Sequence, residues 1–216
     1  MLLLGSALWS VSAQLGFFPS KKGLTLLYAN TDAKGKTDIY TRQTVTDVTG
    51  SGANMTISYL SEALDKNQKS MIPEGVRCTI TVTDGVAEMD MKSMVTPSIQ
   101  NHVTIEGDQI RIPSTLSPGD KLSDAHYTMT INMGLKLKTE MTITEHQCVA
   151  IEDVTVPEGT FKCHKMTQTS TATVMRKTTT TKTLTWYVSG IGMVKSETYD
   201  DKGKLQGSLV LQSVSE

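Results

Sequence analysis

The chain has 216 residues, with 21 lysines and arginines against 22 aspartates and glutamates, and only 5% aromatic side chains. At 23.5 kDa it is long enough to bury a core as one domain. A net charge of −1 without any block of like charge gives nucleic acid no electrostatic footprint and argues against docking on an anionic membrane surface.

The first residues, MLLLGSALWSVSAQ, read as an address. Leu2–Val11 is apolar but too short to span a bilayer, and Val11-Ser12-Ala13 ahead of Gln14 has the small residues of a cleavage site. A signal peptide is expected over residues 1–13, although the positive n-region is missing. That leaves residues 14–216 as one exported domain, periplasmic or extracellular, soluble after cleavage and without a transmembrane segment. The first cysteine after the apolar run is Cys78, so no lipid anchor is expected.

Beyond that point, alternation dominates and no amphipathic helix stands out. Strand-like stretches are expected at Leu24–Ala29, Asp38–Val48 and Asn54–Leu64, separated by turns at Asp32-Ala-Lys-Gly35 and Thr49-Gly-Ser-Gly52. Asp65–Gly75 and Lys92–Gln100 are less patterned, as loops or a short helix. Between them, Asp84-Gly85 is the preferred pair for a type I′ hairpin turn. It sets Val82 opposite Ala87, Ile80 opposite Met89 and Cys78 opposite Met91, all on one apolar face. Gly107-Asp108 predicts a second hairpin, pairing Ile105 with Ile110 and Val103 with Ile112. From Tyr127 to Ile151 the apolar residues Tyr127, Met129, Ile131, Met133, Leu135, Leu137, Met141, Ile143, Val149 and Ile151 all fall on odd positions, a run longer than a usual strand of about 5–6 residues. Either a parity-preserving hairpin or one strand bent at Gly134 accounts for this. Further strands are expected at Thr160–Thr173, Thr183–Val188 and Gly207–Val214, with turns at Pro157-Glu-Gly159 and Asp200-Asp-Lys-Gly203. At Gly190-Ile-Gly192 the apolar parity changes from even (Leu184, Trp186, Val188) to odd (Ile191, Met193). No third glycine and no helix follow, so a β-bulge at Gly190 and Gly192 is preferred to a phosphate loop.

Chemistry-bearing residues are few. His146, Cys148, Cys163 and His164 form the one cluster resembling a metal site, but Cys163 and His164 point to opposite faces of a strand, so no metal is assigned. An exported compartment leaves a Cys148–Cys163 disulfide open, with Cys78 a buried free thiol. Met89, Met91, Met94, Met129 and Met133 could suggest copper(I), but all except Met94 fall on apolar faces, which favours core packing or an adaptable Met-lined cavity. Rows of threonine (79/81/83, 128/130, 142/144 and 169/171/173) read as solvated sheet faces. No nucleophile elbow, metalloprotease helix or P-loop is present, and the histidines at 102, 126, 146 and 164 are scattered. Catalytic and cofactor-binding residues are therefore none, and the chain is not expected to be an enzyme.

Glu152-Asp-Val-Thr-Val-Pro-Glu-Gly-Thr-Phe-Lys-Cys163, followed by Trp186-Tyr-Val-Ser-Gly-Ile-Gly-Met-Val-Lys-Ser196, resembles the TapB-like family of exported proteins of unknown function. The Leu24–Tyr28 strand and Leu116-Ser-Pro-Gly-Asp-Lys-Leu122 also fit. The resemblance implies an antiparallel sheet curled into a barrel or half-barrel, similar to the LolA/LolB-type lipoprotein carriers, and brings no catalytic residues.

The expected fold is all-β, an antiparallel meander of about ten to twelve strands curled into a barrel or open half-barrel. The leading function is non-catalytic binding of an apolar or amphipathic small molecule or lipid on the concave face, lined by Met89, Met91, Met129, Met133 and Trp186. The alternatives are an interaction module for another envelope protein and a hydrolase whose site is hidden.

Overall fold

The structure is a computed structural model that describes residues 16–216, so the expected signal peptide lies outside the described residues. Its strands are β1 (Thr25–Asp32), β2 (Thr37–Ser51), β3 (Asn54–Leu64), β4 (Val76–Thr83), β5 (Val86–Met89), β6 (Val103–Gly107) and β7 (Arg111–Pro113), with a one-turn helix α1 (Pro97–Gln100) before β6. They continue as β8 (Ala125–Asn132), β9 (Lys136–Val156), β10 (Gly159–Val174), β11 (Lys177–Val188), β12 (Gly192–Asp200) and β13 (Leu205–Ser215). All belong to one 13-stranded antiparallel sheet in the order β6-β8-β9-β10-β11-β12-β13-β1-β2-β3-β4-β5-β7.

That order fixes the shape. The outermost strands, β6 and β7, are consecutive in the chain and joined only by Asp108–Ile110. Four Cα–Cα steps of 3.8 Å reach about 15 Å at most, so the two edges of the sheet must curl to within that distance. No ladder joins them, and the result is an open barrel crossed at its seam by the β5–β6, β6–β7 and β7–β8 connections.

The Asp84-Gly85 hairpin has the expected register, with Ile80 opposite Met89 and Val82 opposite Ala87, and positive φ at both turn residues (49° and 76°). It ends one rung early. The chain turns away after Asp90, whose N–H still donates to Thr79 O, so Met91 is buried but does not pair with Cys78. The long alternation after Tyr127 is the β8–β9 hairpin, Asn132 opposite Lys136, with Gly134 at φ 84° in a three-residue turn that keeps odd opposite odd.

The second expected hairpin does not form. Val103 and Ile105 of β6 pair with Ile131 and Met129 of β8, and Ile112 of β7 pairs with Ala87 of β5. Apolar alternation fits any antiparallel neighbour, and here the nearest in sequence is not the one chosen. At Gly107 (φ 120°) a Cβ would lie 2.4 Å from His126 O, so the strand leaves β8 through a contact only glycine permits.

The face carrying Tyr59, Ile57, Ile80, Val82 and Ile112 is closed by a segment with no regular structure, Gly16–Leu24. Phe17 is 2% exposed and packs with Ile112, Leu116, Cys148 and Met166. Its ring meets His164 edge-on at 4.9 Å and tilts against Tyr187 at 6.0 Å. The segment is tied to β2 at Val45, whose N–H donates to Leu24 O at 2.8 Å and whose carbonyl accepts from Gly23 N–H at 2.9 Å. The space left between Phe17, Phe18, Met55, Ile57 and Ile112 is about 10 Å³, no more than one water would need. A second cluster gathers Tyr28, Val156, Cys163, Trp186, Val194 and Leu211, where the end of the β9–β10 hairpin packs over the sheet.

Truncating the plug should therefore be costly. Phe17→Ala is expected to lower unfolding stability by ~3–5 kcal/mol in urea titrations, the range for a buried aromatic leaving a cavity. Phe18→Ala, at a half-buried neighbour, should cost clearly less.

Candidate functional site

The methionines chosen from the sequence do not converge. Met89 is half-buried beside the Ile57 and Ile80 core, and Met91 lies in the turn after β5. Met129 is half-buried on β8, and Met133 is 59% exposed in the β8–β9 turn. Trp186 is buried (5%) on β11, in a different cluster. The apolar interior that they were to line is filled.

Two open grooves lie instead on the opposite, polar face. In the β10–β11 ladder Thr167 faces Leu184 and Thr169 faces Lys182; in the β11–β12 ladder Lys182 faces Tyr199. Directly opposed residues share a face, so Lys182 stands amid Thr167, Thr169, Leu184 and Tyr199. One groove, about 460 Å³, runs from Thr169 and Thr180 past Lys182 to Tyr199 and Asp201. The other, about 490 Å³, is bounded by Lys121, Asp124, Glu145, His146, Thr167 and again Lys182.

A bulge builds the second groove. Glu145 takes φ 52°, and the β9–β10 register slips between Thr167 and Thr169, so β9 inverts its parity there. His146 and Cys148 turn inward (6% and 0% exposed), while Val149 and Ile151, expected inside, are left 39% and 40% exposed. Glu145 is held by Thr169, whose hydroxyl donates to Oε2 at 2.7 Å. Lys121 is carried in by the segment before β8, which continues along β9: Lys121 bridges Gln147, and Leu122 N–H donates to His146 O at 2.8 Å. Thr167 Oγ1 is buried without a hydrogen-bond partner. An unmet hydroxyl costs about 1–3 kcal/mol, a penalty that a ligand acceptor would offset.

Beside the grooves runs a charged strip. Lys165 and Lys195 place their Nζ atoms 5.1 and 4.8 Å from the Trp186 ring centre, one on each flanking strand. Trp186 Nε1 donates to Glu152 Oε1 at 2.7 Å, and Lys165 pairs with the same oxygen at 3.1 Å. These two donors hold the Glu152 carboxyl below its usual range. Lys195 pairs with Glu197 at 2.7 Å, and the Tyr199 hydroxyl, donating to Glu197 at 2.6 Å, is pushed up to about 12. Glu152 is thus a structural partner of Trp186.

Two expectations are corrected. Gly190 and Gly192 are not a bulge within a strand. Ser189, Gly190 and Ile191 make the β11–β12 turn, closing at Val188 opposite Gly192, and the register slip sits between Trp186 and Tyr187, where Val194 is the extra residue. Cys148 and Cys163 do not pair either; all three cysteines are free and buried. Cys148 lies opposite Met166 and Cys163 opposite Glu152, so their rungs are three residues apart on β10, or roughly 10 Å. The same offset separates them as metal ligands, and no group of three His, Cys, Asp or Glu among the described residues could hold a metal ion.

Lys182 had a readable signal: it shares even parity with Leu184 and Trp186, a charge in an apolar register. Thr167 had none, because only the bulge opposite it isolates its hydroxyl.

Burial pushes the Cys163 thiol up to about 11 and raises those of Cys78 and Cys148. All three should stay unreactive toward a disulfide reagent at mildly alkaline pH until the protein is denatured, and reduction should leave the intact mass unchanged. Burial lowers the pKa of His146 and of His164. Below the unfolded value of about 6.5 the unfolded chain takes up protons that the folded chain refuses, so stability present above that pH is lost as pH falls toward the folded values. The melting temperature should decline from about pH 6.5 downward, less steeply in His146→Gln than in the wild type.

The family and structural comparisons bear on the fold. A crystal structure described as a "putative exported protein with YmcC-like fold", from Bacteroides fragilis, aligns with TM-score 0.74 at 23% identity, covering 94% of this chain and 100% of the other. A "putative lipoprotein" from Parabacteroides distasonis aligns with TM-score 0.76 at 20% identity, again covering 94% and 100%. No curated protein matches the chain. The TapB-like name drawn from the motifs and the likeness to lipoprotein carriers are not what these matches support. The family model described as DUF3108-like matches residues 21–211, nearly the whole described length, and the chain belongs to the DUF3108-like family.

Proposed function

We propose that the chain is an exported, non-catalytic binding protein of the cell envelope whose ligand sits on the polar face, in the grooves that meet at Lys182. The observation that carries this reading is the contrast between the two faces. The space between Phe17, Phe18, Met55, Ile57 and Ile112 holds about 10 Å³, whereas the opposite face offers two open grooves of about 460 and 490 Å³. A buried hydroxyl without a partner and a buried imidazole, Thr167 and His146, line the larger of these. Lys182 and Lys121 stand among Asp124, Glu145 and Asp201, with Leu184 and Tyr199 alongside, so the favoured ligand is polar or amphipathic and close to neutral, presenting hydroxyl or amide groups to both charges. Carriage of a wholly apolar molecule in the concave face, as in lipoprotein carriers, finds no space. Export is supported by the descriptions of the two structural neighbours and by the N-terminal motif of the sequence.

The non-catalytic part of the reading rests on the groove itself. The Thr167 hydroxyl is unpaired, so it forms no nucleophile–base pair with His146. A second reading, docking of another envelope protein, is favoured by β9. Its residues 149–156 pair only with β10, and Val149 and Ile151 are exposed beside that open edge.

Amide shift mapping with glycerol 3-phosphate and N-acetylglucosamine as polar probes, and fluorescence of N-phenylnaphthylamine as an apolar probe, tests the reading. Shifts should cluster at Glu145, His146, Thr167 and Lys182 and vanish in Lys182→Glu, with no apolar dye bound. Bright dye binding accompanied by shifts at Met55, Ile57 and Val82 would refute it.

A further inference from the structure

The three most exposed large hydrophobic side chains among the described residues are Met175 (78%), Leu135 (73%) and Met133 (59%). They sit on two neighbouring hairpin tips at one end of the barrel, the β8–β9 turn and the β10–β11 turn, linked through Thr139 opposite Val174. Both are tight turns through left-handed residues, Gly134 at φ 84° and Met175 and Arg176 at 47° and 68°.

The same tips are cationic. The first carries Lys136 and Lys138, of which Lys138 pairs with Glu140 at 2.7 Å; the second carries Arg176 and Lys177. The other turns at this end differ. The β12–β13 turn balances Asp200 and Asp201 with Lys202 and Lys204, and the β1–β2 turn balances Asp32 and Asp38 with Lys34 and Lys36. Overall charge neutrality thus hides a local separation: on these two tips exposed apolar side chains stand beside basic ones, whereas the β3–β4 connection at the same end, with Met71 54% exposed near Lys66 and Lys69, also carries Asp65 and Glu74.

The register also sets their heights. The apex at Gly134 projects about 12 Å beyond the second apex, counting residues from the Thr139–Val174 rung, and lies two strands, about 10 Å, to its side. A plane touching both tips therefore crosses the strands at roughly 40°, the ordinary tilt of strands in a barrel. A flat surface can meet both at once.

We propose that these two tips dock the protein on an anionic lipid surface, with Met133, Leu135 and Met175 entering the interfacial layer and Lys136, Arg176 and Lys177 meeting lipid headgroups. Unbranched methionines suit a fluid interface, since they adapt without a shaped pocket. A lipid surface needs only apolar insertion and basic attraction, and both are present. Docked this way, the barrel stands with its tips down and the Lys182 grooves beside the surface.

The test uses the full chain with Met175→Cys carrying an environment-sensitive nitrobenzoxadiazole label, the native thiols being buried, and vesicles of phosphatidylcholine with or without phosphatidylglycerol. The label reports insertion of the tip itself, whatever else holds the chain to the vesicle. Its emission should shift to the blue and brighten with phosphatidylglycerol vesicles, fade as salt rises, and stay unchanged with phosphatidylcholine alone. Adding Met133→Ser and Leu135→Ser should abolish the shift. Lys136→Glu with Arg176→Glu and Lys177→Glu should weaken vesicle affinity by at least about tenfold. A label on Lys202→Cys, in the neutral turn, should remain in water. The proposal is overturned if the two labels respond alike, if no shift occurs, or if the shift appears without vesicles as protein concentration rises, which would make the tips a contact between two copies of this chain.

Discussion

A single sheet has an apolar face that must be covered, and this fold covers it by curling the sheet around a short irregular segment. Phe17 is where that constraint is concentrated. Its ring meets His164 of β10 and Tyr187 of β11, and its cluster draws in Cys148 of β9, Leu116 of the loop before β8 and Ile112 of β7, which lies at the far edge of the sheet. Without it the curl would enclose an apolar void, whose lining would lose its contacts without gaining water. The seam follows from the same geometry: once the sheet wraps around Phe17, its edge strands come close enough for three residues to join them.

The curl also explains why the candidate site is on the outer, polar face. Long strands cannot follow a curved path with unbroken pleating, and β9, the longest at 21 residues, yields at Glu145 and again near Val149. Each slip re-aims the side chains around it. The first turns His146 inward and isolates the Thr167 hydroxyl, so a structural accommodation leaves unpaired polar groups in a groove. The second lets the end of the β9–β10 hairpin bend across the sheet and cover Trp186, whose remaining exposed edge is closed by Lys165, Lys195 and Glu152. Burial of an indole under two lysine stems combines apolar contact with cation–π attraction, each worth about 0.5–2 kcal/mol.

The polar groups on this face are otherwise well matched to one another. Thr171 meets Thr180 at 3.2 Å and Thr173 meets Thr178 at 3.0 Å across the β10–β11 ladder. The rows of threonine are therefore cross-strand pairs that saturate one another, which leaves Thr167 conspicuous as the member that is not saturated.

The sequence by itself determined what is local. Alternation marked the strands, Asp84-Gly85 fixed a hairpin and its register, and the parity kept across Gly134 allowed for the β8–β9 turn, because turn type and side-chain period are decided within a few residues. Tertiary structure alone decided which strands became neighbours at the seam, where β6 chose β8 and β7 chose β5 over each other. It also decided where β9 would slip, and that Gly16–Leu24 would fill the barrel. These choices depend on curvature and on contacts between residues distant in the chain, so no local pattern could express them. The expected Met-lined cavity failed for that reason: Met89 and Met129 lie on strands as read, Met91 and Met133 fall in turns, and the volume between the strands is set by the whole sheet.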